Sequence, residues 1–97
     1  MERGSLLAGI YPNIEKKMKV LKEIAGAKVI AKIFQAGEGM PPHTNTTDVF
    51  VAVLSGKMVI TVEEIESTLE VGDFIFFPAE AIHKLLCIVD AKILIIK

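Results

Sequence analysis

The chain reads as an all-β domain, a barrel or sandwich of short antiparallel strands, and three observations carry that expectation. Runs rich in Val, Ile and Phe recur at residues 28–35, 49–54, 58–62, 74–77, 85–89 and 92–96. Turn-type residues punctuate them: Gly37-Glu38-Gly39, Pro41-Pro42, Ser55-Gly56, Gly72-Asp73, Pro78 and Asp90-Ala91. The spacing is even and short, which suits a barrel or sandwich and not a βαβ fold.

Taken in order, the first two dozen residues carry the weakest pattern. Residues 5–10 suit a strand or a short turn of helix that Pro12-Asn13 ends, and 13–17 read as a loop. A strand follows at 18–24, and Gly26 marks the turn out of it. Residues 1–26 thus form an N-terminal segment ahead of the main strands. In 57–63, Met58, Ile60 and Val62 alternate with Lys57, Thr61 and Glu63, the mark of a sheet with one wet face. Residues 49–54 and 93–96 are apolar on both faces. A barrel strand needs only one face in the core, so the second asks for another cover. A homodimer is the simplest, with the N-terminal segment, one face of 49–54 and 93–96 at the interface.

Ninety-seven residues hold one core, so the chain is read as a single domain over 1–97. A net charge of −1 and a pI near 6.1 argue against a nucleic-acid or anionic-membrane partner, which would need a positive field. The densest basic stretch, Lys16, Lys17, Lys19 and Lys22, is interleaved with Glu15, Glu23 and apolar residues, as on a solvated strand face. Cys87 is the only cysteine, which excludes an intrachain disulfide and points to a reducing, cytoplasmic compartment. The apolar stretch at 6–11 is too short for a signal peptide, and no run reaches transmembrane length.

Chemistry concentrates in two segments. The first runs Gly37-Glu-Gly-Met-Pro-Pro-His43-Thr-Asn45-Thr-Thr-Asp48-Val49 and on to Gly56; the second runs Gly72-Asp-Phe-Ile-Phe-Phe-Pro78-Ala-Glu80-Ala-Ile-His83-Lys-Leu-Leu-Cys87. Together they resemble the two motifs of the cupin superfamily, in particular small single-domain cupins of the conserved-barrel type. Gly37, His43 and Gly56 fall on positions of motif one (37–56), and Gly72, Pro78 and His83 on positions of motif two (72–87). Six matches at fixed spacing are far more specific than any one of them. The resemblance implies a double-stranded β-helix, a jelly-roll barrel with a hairpin between the motifs.

The departures matter equally. Asn45 stands where the family has its second histidine, Val49 where it has a glutamate, Glu80 at a glycine position and Cys87 at an asparagine position. Many cupins hold a divalent metal with three histidines and a glutamate; of those four positions only His43 and His83 keep their ligand type. Asp48 precedes the glutamate position by one residue, which in a regular strand turns it to the opposite face. A bulge could turn it inward as an additional ligand, as in the cupin branch with a His-Thr-x-x-x-Asp stretch.

If the barrel closes as the resemblance implies, strand parity brings His43, Asn45, His83 and Cys87 towards one apolar interior, the usual make-up of a small-molecule site. For the histidines the competing reading is satisfaction by local hydrogen bonds; for Cys87 it is a small buried hydrophobe. Two function classes follow. The first is a non-catalytic binding protein that takes a small molecule, with or without a divalent metal (zinc, iron, nickel or manganese) on His43 and His83. The alternative is a metal-dependent enzyme, oxygenase- or isomerase-like, acting on a small oxygenated substrate. The incomplete ligand set favours binding, and the sequence leaves open whether any catalysis occurs.

Overall fold

The computed structural model describes residues 1–7 and 17–97. Much of the expected strand or helical turn at 5–10, and nearly all of the loop at 13–17, lies outside them. The described residues form seven strands and no helix: β1 (Met18–Ile24), β2 (Ala27–Phe34), β3 (Gly39–His43), β4 (Val49–Val62), β5 (Ile65–Leu69), β6 (Phe74–Phe77) and β7 (His83–Ile96). Every pairing is antiparallel. The all-β class and the jelly-roll architecture hold.

Two long strands organise the barrel. The first halves of β4 and β7 lie in different layers, because each strand bends midway and serves both. Residues 49–53 of β4 pair with β6 and with the end of β7, whose residues 91–96 pair in turn with β2. Beyond the bend, residues 57–62 of β4 pair with β5 and with the start of β7, which also takes β3. One layer is therefore β1-β2-β7-β4-β6 and the other β3-β7-β4-β5.

The bend corrects the sequence reading. Ser55-Gly56 and Asp90-Ala91 are not turns between strands but facing irregularities within β4 and β7, where the register shifts repeatedly between Val53 and Met58. Gly56 has φ of 82°, and a Cβ there would stand 2.1 Å from the Asp90 carbonyl oxygen. Only a glycine lets the two backbones cross at that distance. Two strands were also missed. In β3, Pro41 and Pro42 fall at a register shift between Met40 and His43, on an edge strand where missing N–H groups cost least. In β5, five residues with Glu66 and Ser67 among them are too short and polar to read as a strand. The β4–β5 turn places Glu63 and Glu64 at φ of 47° and 69°, the type I′ geometry that suits strand twist.

Inward residues of both layers fuse into one core in which Met58, Ile60, Val53, Ile93 and Cys87 are fully buried. The alternation read at 57–63 is borne out: Met58 and Ile60 face this core, while Lys57 and Thr61 keep solvent contact. Outside, Phe74 and Phe76 remain 63% and 59% exposed, and Phe50 stacks on Phe74 with ring centroids 5.3 Å apart. Among the described residues no helix is long and apolar enough to cross a membrane.

Candidate ligand-binding site

The end of β3 and the start of β7 are register partners, so their terminal residues, His43 and His83, stand opposite each other at one end of the barrel. The ring centroids are 4.1 Å apart and the planes inclined at 59°. His83 is only 3% exposed, with the Phe77 ring on its other side at 4.4 Å, whereas His43 is half-buried.

Both rings are oriented by the same local device. His43 Nδ1 donates to the Pro41 carbonyl at 2.8 Å, and His83 Nδ1 donates to the Ala81 carbonyl at 2.9 Å. A carbonyl can only accept, so each neutral ring carries its proton on Nδ1 and keeps an unprotonated Nε2. Asn45 reaches His83 Nε2 with its amide nitrogen at 3.3 Å. The loop bearing Asn45 is tied to the turn before β7 at two points. Glu80 N donates to Asn45 O at 2.8 Å, and Ala79 N donates to the Asp48 carboxylate at 2.9 Å.

Behind the imidazoles lies a cavity of about 50 Å³ with walls that include Met40, Val49, Val51, Phe77 and Leu85. By the space one water needs, that is room for roughly four water-sized groups. His43, Asn45 and His83 reach it together. Asp48 and Cys87 do not. Asp48 is exposed and lines a separate surface groove with Phe50 and Phe76, its carboxylate engaged by the turn. Cys87 shares the inward parity of His83 but sits one layer deeper in the core, its thiol donating to the Val89 carbonyl at 3.1 Å. Burial pushes that thiol up, with Asp90 adding to the effect.

Two residues that the sequence reading passed over complete the cavity: Lys32 and Lys97. Lys32 shares parity with Ile30 and Phe34 on β2, and Lys97 extends the inward series Ile93 and Ile95. The signal was available, because a lysine in register with core residues on a strand is unusual. The Lys32 ammonium lies 3.5 Å from the Met40 sulfur and 5.0 Å from the Phe34 ring centroid. Burial lowers its pKa, and Lys97 lowers it further. Burial likewise pushes His83 down; the bond to Ala81 opposes this, and His43 and Lys97 reinforce it. No aspartate or glutamate side chain is among the described residues that line the cavity.

That composition bears on a metal. The Nδ1–H tautomers leave two Nε2 lone pairs, as metal-bound imidazoles require. Against this, no group of three or more His, Cys, Asp or Glu able to hold an ion occurs among the described residues. The cavity also presents two ammonium groups to any cation. The donor set fits a resident divalent metal poorly.

The described residues thus form an antiparallel jelly-roll barrel with a small interior cavity edged by two histidines. This chain belongs to the cupin family, whose Cupin domain matches residues 32–96. No curated protein matches it. Among solved structures it is similar to an RmlC-like cupin from Desulfovibrio desulfuricans (TM-score 0.82, 20% identity, covering 99% of this chain and 94% of that one). It is also similar to a cupin superfamily protein from Desulfitobacterium hafniense (TM-score 0.77, 24% identity, 82% and 73%). A salicylate 1,2-dioxygenase from Pseudaminobacter salicylatoxidans shares the fold over 72% of this chain and 20% of that one, at TM-score 0.69 and 14% identity. At these identities the likeness is one of fold.

Proposed function

We propose that this cupin is a binding protein that takes a small polar molecule in the barrel cavity through His43, Asn45 and His83. The observation that carries the reading is the convergence of two imidazoles and an amide on one small, apolar-walled cavity. Among the described residues that line the cavity none forms a nucleophile–base pair with them, which favours binding over catalysis. A thermal-shift screen of small acids, polyols and amides tests it. Ligands should raise the melting temperature of the wild type and not of His43→Ala, with the barrel intact by circular dichroism. Equal shifts in both proteins would sink the proposal.

A second reading has one observation in its favour, the pair of unprotonated Nε2 atoms. On that reading zinc, iron, nickel or manganese sits on His43 and His83, water fills the remaining positions, and an oxygenase- or isomerase-like activity becomes open to the protein. Elemental analysis of protein purified without added metal decides it: a stoichiometric metal lost in His83→Ala supports it, and metal-free wild type rejects it.

The assembly we propose is a homodimer, supported by the exposed Phe74 and Phe76, with the half-buried Phe50 stacked on Phe74. Sedimentation at micromolar concentration should show a dimer, and Phe74→Glu should dissociate it. The lone cysteine supports a cytoplasmic setting for a single domain over 1–97.

A further inference from the structure

The cavity is charged in one sense only. Lys32 and Lys97 supply ammonium groups, no aspartate or glutamate side chain among the described residues shares the lining, and none pairs with Lys32. The nearest polar partners of Lys32 are a thioether and an aromatic face, neither of which neutralises a cation drawn out of water. Among the described residues neither ammonium has an acidic partner, so partly burying them costs stability, and an anion supplied from outside offsets that cost. The imidazoles ask for the opposite: with Nδ1 donating to backbone carbonyls, an unprotonated Nε2 on either ring is an acceptor. Asn45 reaches only one of them.

We propose that the ligand is a small hydroxycarboxylate, its carboxylate held by Lys32 and Lys97 and its hydroxyl donating to the imidazole Nε2 of His43 or His83. This rests on the binding reading given above and specifies its ligand. A cavity lined by both ammonium donors and imidazole acceptors suits a molecule that carries both a carboxylate and a hydroxyl. With a cavity of about 50 Å³, the part enclosed is no larger than a two- or three-carbon unit. A bare divalent cation meets the wrong charge, and a neutral diol leaves both ammonium groups unpaired.

Isothermal titration with glycolate, acetate and ethylene glycol separates the contributions, because each of the last two lacks one functional group of the first. Glycolate should bind most tightly. Lys32→Met should weaken it roughly tenfold or more, the scale of one charge-assisted hydrogen bond. The same substitution should raise the melting temperature of the ligand-free protein, since it removes an unpaired, half-buried charge in favour of an apolar chain of similar length. Loss of affinity with gain of stability is a pattern that a merely structural lysine would not produce. Unchanged glycolate affinity in both Lys32→Met and Lys97→Met overturns the proposal. Ethylene glycol binding as tightly as glycolate overturns it while leaving the binding reading standing. Failure of all three probes to bind the wild type removes both.

Discussion

Replacing Gly56 by alanine tests the crossing of β4 and β7 on which the barrel turns. Two costs add at this position. The backbone is left-handed at φ of 82°, which for a residue with a Cβ costs about 1–2 kcal/mol. The new methyl would also stand 2.1 Å from the Asp90 oxygen and 2.6 Å from the Ala91 Cα, both backbone atoms that no rotamer change can move. Forcing them apart is overpacking, about 1–3 kcal/mol more. Gly56→Ala should therefore lose about 2–5 kcal/mol, a large share of the ~5–15 kcal/mol typical of a domain. Gly72 supplies the internal control: its φ is 89°, but a Cβ there meets nothing within 4 Å. Gly72→Ala should lose only the conformational part, about 1–2 kcal/mol. Urea unfolding followed by far-UV circular dichroism, apt for a chain without tryptophan, gives both numbers at a common m-value. Equal losses in the two variants would mean that β4 and β7 do not cross this closely, and the account of the bend would fail.

Other consequences are independent of that crossing. Glu80 occupies a left-handed position at φ of 68°, so Glu80→Gly should stabilise the protein by about 1 kcal/mol; a lower melting temperature would show that its side chain does more than endure the turn. Cys87, buried and with its thiol pKa raised, should react with a thiol reagent only as fast as the barrel opens, and labelling at the rate of an exposed thiol would place it elsewhere. Burial, with His43 and Lys97, holds His83 below the ordinary histidine value near 6.5, so the unfolded chain takes up a proton first as the pH falls. Its contribution should be full above that value and lost as pH falls through the folded one. The urea midpoint should accordingly drop between pH 7.5 and 5.5 more in wild type than in His83→Gln; equal drops would show that another group carries the acid sensitivity.

Strand type was legible wherever side chains alternate against a core, as in Met58, Ile60 and Val62, because period-two burial is written directly into residue order. What could not be read locally was continuity. Ser55-Gly56 and Asp90-Ala91 carry turn chemistry, yet each strand continues through its bend, since each irregularity is stabilised by the other strand. A bulge and a turn use the same residues and differ only in what lies across from them. Likewise Pro41-Pro42 reads as a break, and becomes part of β3 because an edge strand can leave N–H positions empty.

The site divides along the same line. His43, Asn45 and His83 converge as parity and motif spacing suggested, although Asn45 does so from a loop and not from a strand. Asp48 fails to turn inward because the turn before β7 needs its carboxylate: the Ala79 N–H has it as acceptor, and that contact helps seat the segment that aims His83. A residue weighed as a ligand thus helps to fix the segment that carries His83. Lys32 went unread for the opposite reason. Histidines at motif spacing stand out in residue order, whereas a lysine between Ile30 and Phe34 looks like a solvated interruption of a strand. Its inward parity says otherwise, and with Lys97 it reverses the charge expected of a pocket built to hold a metal. Lysines lining the cavity, with no aspartate or glutamate side chain among the described residues beside them, are what the proposed carboxylate ligand would meet favourably and a divalent cation would not.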